Sequence, residues 1–133
     1  ALHGPEYLRR SDAPELGWFP VELNGLDPNG PVAADSPVWM FCCHFDEVCG
    51  LQGEYRVLAH TGDCAVHAYR CGEAPVWGVQ GHPEIPPEEG AALLEAFAAK
   101  NPALTEMVAR ALAAPPRDDG FGAVLTRRFV EHT

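Results

Sequence analysis

Basic residues are scarce in this chain, which has nine lysines and arginines against nineteen aspartates and glutamates and a net charge of −10. Such an excess of negative charge argues against binding to nucleic acid or to an anionic membrane surface. No apolar run approaches the roughly 20 residues that a membrane-spanning helix needs, and no signal-peptide pattern is visible. We therefore expect a cytoplasmic protein with neither nucleic acid nor a membrane among its partners.

A regular cysteine pattern is also missing, since the five cysteines are odd in number and unevenly spaced: Cys42, Cys43, Cys49, Cys64 and Cys71. This is a poor disulfide framework, and reduced thiols that pack as small hydrophobic residues are expected instead. Cys42 and Cys43 are adjacent in a strand-like run. Their side chains should therefore point to opposite faces and cannot both serve one site.

Metal-ligand spacing is absent as well. The candidate ligands can be grouped on paper, but no Cys-x-x-Cys or His-x-x-x-His pair occurs among them: Cys43, His44, Cys49, His60, His67 and Cys71. Closely spaced pairs of this kind are typical of zinc sites. The sequence therefore predicts no metal site and no cofactor.

Residues 76–84 combine a strand end with two chemically active side chains. The apolar start predicts a buried strand, which must stop at Pro83 because proline cannot donate to a strand ladder. His82 is left at the strand end, where α/β sheets place their chemistry. Glu84 could hold the imidazole in one tautomer, as the orienting acid of a nucleophilic triad does. The alternative is a strand-ending turn with a solvated histidine.

Three motifs carry a family resemblance. Gly-Val-Gln-Gly-His-Pro-Glu at residues 78–84 resembles the Gly-Val-Gln-x-His-Pro-Glu signature of class I glutamine amidotransferases. Cys-His-Phe-Asp-Glu-Val at 43–48 is similar to that family's Ser-His-x-Asp-x-Val segment, and Pro-Glu-Leu-Gly-Trp at 14–18 to its Pro-Glu-Ile-Gly-Trp strand entry. The resemblance covers about residues 1–98. It implies an α/β fold, the C-terminal half of a flavodoxin-like domain with a mixed sheet and flanking helices.

The resemblance also implies roles for individual residues. His82 would be the catalytic base and Glu84 its orienting partner, and Cys43, His44 and Asp46 would line the glutamine pocket. The Asp46 carboxylate is suited to the substrate's ammonium group. Its alternative role is that of a strand-end carboxylate that bonds its own turn.

The family's nucleophile elbow, a Gly-x-Cys-x-Gly turn, has no counterpart in these 133 residues. Cys49 lies in a predicted loop and Cys64 opens a predicted strand, so neither fits a strained strand-to-helix turn. The resemblance places the catalytic cysteine just upstream of Ala1. We expect residues 1–114 to be the C-terminal part of the domain without its nucleophile half, and residues 115–133 to be a linker and a last helix.

An apolar fraction of 47% can support the core of one domain. After a polar connector at residues 1–16 and before the signature strand, the predicted strands cover residues 15–24, 37–45, 55–60 and 64–69. Pro20 should confine the first of them to an edge or a bulge. The predicted helices cover residues 87–100, 102–113 and 121–132. Tight turns between the strands predict antiparallel pairing.

Two classes of function remain open. An enzyme would hydrolyse a γ-glutamyl amide such as glutamine through a Cys-His-Glu triad, as a stand-alone hydrolase or as the ammonia donor of a separate synthetase. The family more often has phenylalanine where this chain has Gly81. The combination of Cys-His-x-Asp-Glu-Val with Gln-Gly-His-Pro-Glu resembles the stand-alone, peptidase-like members of the family. A non-catalytic remnant would instead be an interaction module.

The predicted strands by themselves would leave sheet edges and apolar faces open. We therefore expect the family's N-terminal half, a partner chain or a homo-oligomer to cover the sheet. The fragment alone is expected to be inactive, since it lacks the nucleophile.

Overall fold

The computed structural model describes residues 5–24 and 37–132. These residues form one five-stranded sheet and three α-helices. The elements are β1 (Leu8–Leu23), β2 (Val38–Val48), β3 (Tyr55–His60), β4 (Ala68–Cys71), β5 (Trp77–Val79), α1 (Pro87–Lys100), α2 (Thr105–Ala113) and α3 (Phe121–His132). Short 3-10 turns at Pro5–Tyr7 and Pro102–Leu104 precede β1 and α2. The segment between the first two predicted strands, residues 25–36, lies outside the described residues.

The strand order is β2-β1-β3-β4-β5, and every described pair of strands is antiparallel. This confirms the pairing predicted from the tight turns. β3 matches its predicted limits, residues 55–60.

β1 begins well before its predicted start, so the prediction of a polar connector up to residue 16 is wrong. The strand pairs with β2 along its length, with a register irregularity between Arg10 and Glu15. That irregularity interrupts the alternation on which strand prediction depends. β1 lies inside the strand order, but its pairing with β3 is confined to its last two residues. Pro20 therefore lies where β1 pairs with β2 alone among the described strands.

Two further strand predictions are wrong in their limits or burial. β4 begins at Ala68 and not at Cys64, because the backbone at Cys64 closes a turn. The Thr61 N–H donates to the Cys64 carbonyl at 2.9 Å, and the Cys64 N–H donates to Thr61 Oγ1 at 3.0 Å. The signature strand, predicted to be buried, is the short edge strand β5, and its last residue, Val79, is 42% exposed.

Two apolar clusters lie on opposite faces of β1 and β2. The first lies under α3 and contains Val21, Val38, Met40, Leu58, Ala59, Ala68, Phe121 and Leu125. The second lies under α1 and α2 and contains Leu16, Phe41, Leu94 and Val108. Met40 and Phe41 are neighbours in β2 and divide between the clusters, as strand alternation requires. Burial of a leucine such as Leu94 stabilises a fold by about 1.5–3 kcal/mol.

α1 agrees with its prediction. It begins at Pro87 with Glu88 and Glu89 in the first turn, where proline and acidic residues are favoured. Asn101 ends it, since its N–H donates to the Phe97 carbonyl at 2.9 Å. No helix in the described ranges combines the length and apolar character that crossing a membrane requires. The division of the chain at residue 114 stays a prediction.

Candidate active site

The signature segment places His82 and Glu84 side by side just after β5. His82 Nδ1 lies 2.9 Å from Glu84 Oε1. The His82 backbone N–H donates to the Phe41 carbonyl at 2.8 Å, which fixes the histidine against β2. No described residue makes a hydrogen bond to His82 Nε2. The pair therefore has the geometry of a base whose tautomer is set by an acid, with the second ring nitrogen open.

The electrostatics of Glu84 fit this arrangement. Partial burial alone would raise the pKa of Glu84, but the hydrogen bond with His82 helps to bring it below its ordinary value. Glu84 is thus an anion that accepts the hydrogen bond from His82 Nδ1–H. Its side chain is 63% exposed, so solvent weakens the interaction.

A pocket of about 280 Å³ lies beside His82 and Glu84. The linker before α3 forms part of its wall and is fixed there by two contacts. The Arg117 guanidinium lies 4.1 Å from the centre of the Trp39 ring, and the Trp39 N–H donates to Asp119 Oδ2 at 3.0 Å. None of the five cysteines, all of which are described, lines this pocket.

Steric crowding explains why glycine stands at position 81 in this chain. The residue is buried, and a Cβ atom there would overlap Met40 Sδ and lie 2.7 Å from Met40 Cγ. The same Cβ would lie 3.0 Å from Cε1 of His67. A larger residue at position 81 therefore requires Met40 to move, which matters because Met40 belongs to the first apolar cluster.

The three predicted substrate-binding residues have different surroundings. Cys43 packs against the second apolar cluster. The His44 side chain is 11% exposed and turns towards Glu15. The Asp46 carboxylate is 63% exposed and lies 3.5 Å from Arg10 Nη1. None of the three lines the pocket beside His82, so their role in substrate binding stays a prediction.

The backbone of Asp46 nevertheless connects this region to the signature. Its carbonyl accepts hydrogen bonds from Gln80 Nε2 at 3.0 Å and from His44 Nδ1 at 3.1 Å. The Gln80 N–H in turn donates to the His67 carbonyl at 2.8 Å. The end of β2, the residue before Gly81 and the loop before β4 are therefore held in one hydrogen-bonded unit.

A buried polar cluster, which the sequence did not predict, consists of Glu15, Cys42, His44 and His67. One possible ligand atom from each residue lies within 4.8 Å of all the others. His44 Nε2 is 2.8 Å from Glu15 Oε2, and Cys42 Sγ is 3.3 Å from His67 Nε2. The second oxygen of Glu15 accepts a short hydrogen bond from Thr61 Oγ1. These residue types and distances would suit a metal ion.

Burial shapes the protonation states in the buried polar cluster. Burial lowers the pKa of His67 to about 4, and the nearby Glu15 charge offsets this only in part. Burial would raise the pKa of Glu15, but hydrogen bonds from His44 and Thr61 bring it below its ordinary value. Burial and the Glu15 charge raise the pKa of the Cys42 thiol well above its ordinary value. Glu15 is therefore ionised, His67 neutral and Cys42 protonated at neutral pH.

The cysteine and histidine set considered from the sequence is not assembled. His60 Nδ1 bonds Asn24 Oδ1 at 2.8 Å, while the Cys49 and Cys71 thiols contact the Glu6 carbonyl and Glu54. Glu15 was missed because acids are rare in metal-ligand spacing patterns. The sequence signal was weak, since Glu15 is only the first residue of a predicted strand and stands between Pro14 and Leu16. Its position opposite His44 is seen only in the structure.

No protein-family model matches the chain. Over 82 residues, or 58% of this chain, it is 39% identical to the glutamine-hydrolysing GMP synthase of Phocaeicola vulgatus, of which it spans 16%. Over 80 residues, or 59% of this chain, it is 38% identical to one subunit of the glutamine-hydrolysing GMP synthase of Methanococcus aeolicus, of which it spans 40%. The chain thus matches less than half the length of either curated relative.

The fold agrees with these sequence relatives. A crystal structure of a glutamine amidotransferase from Thermotoga maritima superimposes with a TM-score of 0.66 at 19% identity, covering 93% of this chain and 53% of that one. At this identity the likeness shows the fold, and it confirms the predicted α/β class. The signature motif and the sequence similarity to GMP synthases show that the chain belongs to the class I glutamine amidotransferase-like family.

Proposed function

We propose that His82 and Glu84 are the base and the orienting acid of a Cys-His-Glu triad that hydrolyses the side-chain amide of glutamine or another γ-glutamyl amide. The contact between His82 Nδ1 and Glu84 Oε1 at 2.9 Å carries this proposal, because it leaves Nε2 open beside a pocket. A solvated histidine at the end of a strand would not need an acid on its Nδ1.

In the proposed reaction, His82 Nε2 takes the proton from a cysteine thiol as sulfur attacks the γ-carbonyl carbon. The same nitrogen then gives that proton to the leaving amine, and a thioester remains. Water attacks the thioester with His82 again as base, which releases the γ-carboxylate and restores the thiol. Glu84 stabilises the imidazolium formed in each half of the cycle.

The nucleophile is expected from a segment other than these 133 residues. The described cysteines are poorly suited to the task, because none lines the pocket beside His82. Burial raises the pKa of Cys43 and raises that of Cys64 to about 11, and the pKa of Cys42 is raised further. A thiol with a raised pKa has little of the reactive thiolate form at neutral pH.

Asp46 is the proposed contact for the substrate's ammonium group. Of the three residues predicted to line the glutamine pocket, it alone presents an exposed charged group. His44 would act on substrate binding indirectly, by holding the Asp46 backbone through its Nδ1. The only partner that this proposal itself requires is the γ-glutamyl substrate.

A second candidate function concerns the fate of the ammonia. The relative from Methanococcus aeolicus is named as one subunit of a GMP synthase, which favours an ammonia-donating chain that works with a separate synthetase chain. Stand-alone hydrolysis requires no such partner. Glutaminase activity that rises when a synthetase chain is added would favour the first, and full activity without one would favour the second.

The triad is tested by ammonia release from glutamine. We expect none from the 133-residue chain, and we expect release from a longer protein in which a segment with a Gly-x-Cys-x-Gly turn is joined to this chain. In that protein His82→Ala should lower turnover by several orders of magnitude, because triad members act as a unit.

His60→Ala is the matched control, since His60 bonds Asn24 and lies outside the pocket. Equal losses in the two variants would contradict the assignment of His82. Ammonia release by the 133-residue chain, blocked by a thiol alkylator, would show that one of its own cysteines is the nucleophile.

A further inference from the structure

Glu15, Cys42, His44 and His67 converge from three parts of the chain. Glu15 lies in β1, Cys42 and His44 lie in β2, and His67 lies in the loop before β4. In the β1–β2 ladder Glu15 is directly opposite His44, while Cys42 is two residues from His44 on the same face. We propose that this buried polar cluster is a structural zinc site.

The distances between the ligand atoms lie within about half an ångström of those around a tetrahedral zinc ion. Tetrahedral zinc with bonds of about 2.0–2.3 Å holds its ligand atoms roughly 3.3–3.6 Å apart. The Cys42 Sγ to His67 Nε2 distance is 3.3 Å, and His67 Nε2 lies 3.9 Å from Glu15 Oε2. His44 Nε2 and Glu15 Oε2 are closer, at 2.8 Å, and would separate by a few tenths of an ångström on binding.

The orientation of His44 supports a ligand role. Its Nδ1 contacts the Asp46 carbonyl at 3.1 Å, and because a carbonyl only accepts, Nδ1 carries the proton. This is how metal-binding histidines are held, with one N–H on a carbonyl and the other nitrogen aimed at the ion. The other nitrogen, Nε2, then lies 2.8 Å from Glu15 Oε2. In a neutral imidazole both of these atoms are acceptors, so a cation or a second proton must lie between them.

The orientation of His67 favours a metal site over a second catalytic triad. Both Cys42 Sγ and Glu15 Oε2 approach the same nitrogen, Nε2. A triad needs its acid on the opposite nitrogen, Nδ1, and this atom is buried with no hydrogen-bond partner in the described part of the chain. Two possible ligand atoms that converge on one nitrogen of an imidazole are instead typical of a shared ion.

The total charge of the ligands and the chemistry of their ligand atoms indicate which metal ion the site would bind. A carboxylate, a thiolate and two neutral imidazoles carry a total charge of −2, which a divalent ion neutralises in a site whose Glu15, Cys42 and His67 are each at least 99% buried. Sulfur and imidazole ligands favour zinc over magnesium or calcium. As the ion binds, the Cys42 S–H bond breaks, the proton leaves to solvent, and a Zn–S bond forms.

The site would be closed and therefore structural. Four protein ligands complete a tetrahedral shell, which leaves no position for a substrate. The ion would tie β1, β2 and the loop before β4 together, next to the Gln80 and Asp46 hydrogen bonds that support the signature segment. The competing explanation is a metal-free hydrogen-bond network in which Thr61 and His44 satisfy Glu15.

The first test uses the unmodified protein. The chain is stripped with a chelator, loaded with Zn²⁺ alone, and measured by metal analysis and zinc X-ray absorption. We expect one tightly held zinc per chain with one sulfur and three nitrogen or oxygen neighbours. No bound zinc, or a shell with no sulfur or with two or more, would overturn the proposal.

The second test compares adjacent cysteines on opposite faces of β2. With Co²⁺ as the probe, the wild type and Cys43→Ser should show the same thiolate-to-cobalt charge-transfer band, and Cys42→Ser should lack it. Cys42→Ser should also weaken Zn²⁺ binding by more than about 100-fold, since losses outside the ligand shell already cost roughly 10–100-fold. A band retained in Cys42→Ser or lost in Cys43→Ser would contradict the assignment.

Two histidine variants provide a further test in which one variant is the control for the other. His67→Gln should lose Zn²⁺ affinity, while His60→Gln, whose parent residue bonds Asn24, should keep it. Circular dichroism checks the fold of each variant. If Cys42→Ser fails to fold, the sulfur count in the wild-type absorption spectrum alone supports or overturns the site.

Discussion

Glu15 Oε2 lies 2.8 Å from His44 Nε2 across the ladder between β1 and β2, in the part of the molecule where two family-like motifs meet. His44 therefore turns inward to a buried carboxylate, while Asp46, two residues on, keeps an exposed one. The motif at 43–48 thus contributes both to the stability of the sheet and to the surface proposed to bind substrate.

Glu84→Gln tests the orienting acid. The amide keeps a similar shape but removes the negative charge and can disturb the tautomer of His82, so the chemical step should slow. We expect a loss in kcat of about 10²-fold, smaller than the roughly 10⁴-fold loss when a serine triad loses its acid, because a cysteine thiol is already more acidic.

The measurement is kcat and KM for a γ-glutamyl amide in the protein that includes the nucleophile segment. KM should change little. Glu88→Gln, in the first turn of α1, is the matched control and should leave both constants unchanged. An unchanged kcat in Glu84→Gln would leave Glu84 as a turn residue.

Asp46→Asn tests the proposed ammonium contact. Loss of a charge-assisted hydrogen bond costs about 1.5–3 kcal/mol, so KM should rise by roughly 10- to 100-fold while kcat stays close to wild type. Asp63→Asn changes another exposed aspartate and should have no effect. If KM in Asp46→Asn equals that of the wild type, the Asp46 carboxylate does not bind the substrate and serves only its contact with Arg10.

Gly81→Ala tests the packing of the signature against β2. The new methyl group would overlap Met40, and overpacking of a core typically costs about 1–3 kcal/mol. Gly62→Ala is the control, since nothing lies within 4 Å of the atom that it adds.

Urea unfolding measures both variants. Adding Met40→Ala to Gly81→Ala should cost less than Met40→Ala costs by itself in the wild type, because the methyl group partly fills the cavity. If the two losses in the free energy of unfolding simply add in the double variant, the Met40 side chain is not what excludes a larger residue at position 81.

Acid should destabilise the metal-free protein through His67. The folded pKa of about 4 lies below the ordinary value of 6.5, so the unfolded state binds more protons between these values. The contribution of His67 to stability is complete above about pH 6.5 and is lost as the pH falls towards 4, by about 3 kcal/mol in total.

The check is the free energy of unfolding between pH 7 and 4, in the presence of a chelator, for wild type and His67→Gln. The variant should lose less stability over this range. Glu15 lies beside His67 and its lowered pKa adds a loss of the same sign at lower pH, but this part is present in both proteins. Equal pH profiles would mean that His67 is not buried as a neutral ring.

The sequence by itself determined the features that depend on a few neighbouring residues. Pro83 between His82 and Glu84 restricts the backbone so strongly that two residues of separation suffice to predict their contact. Pro87 and Asn101 set the ends of α1 in the same local way. β3 was predicted at its observed limits because its residue types favour a strand and turns bound it on both sides.

Only the tertiary structure decided how distant segments meet. The buried polar cluster requires the register that puts Glu15 opposite His44, and it requires the turn at Thr61 that brings His67 to Cys42. Neither is encoded in local spacing, since a one-residue slip in the register would send Glu15 to the other face. Burial then set the charge states, because desolvation depends on the tertiary packing around these side chains and not on their sequence neighbours.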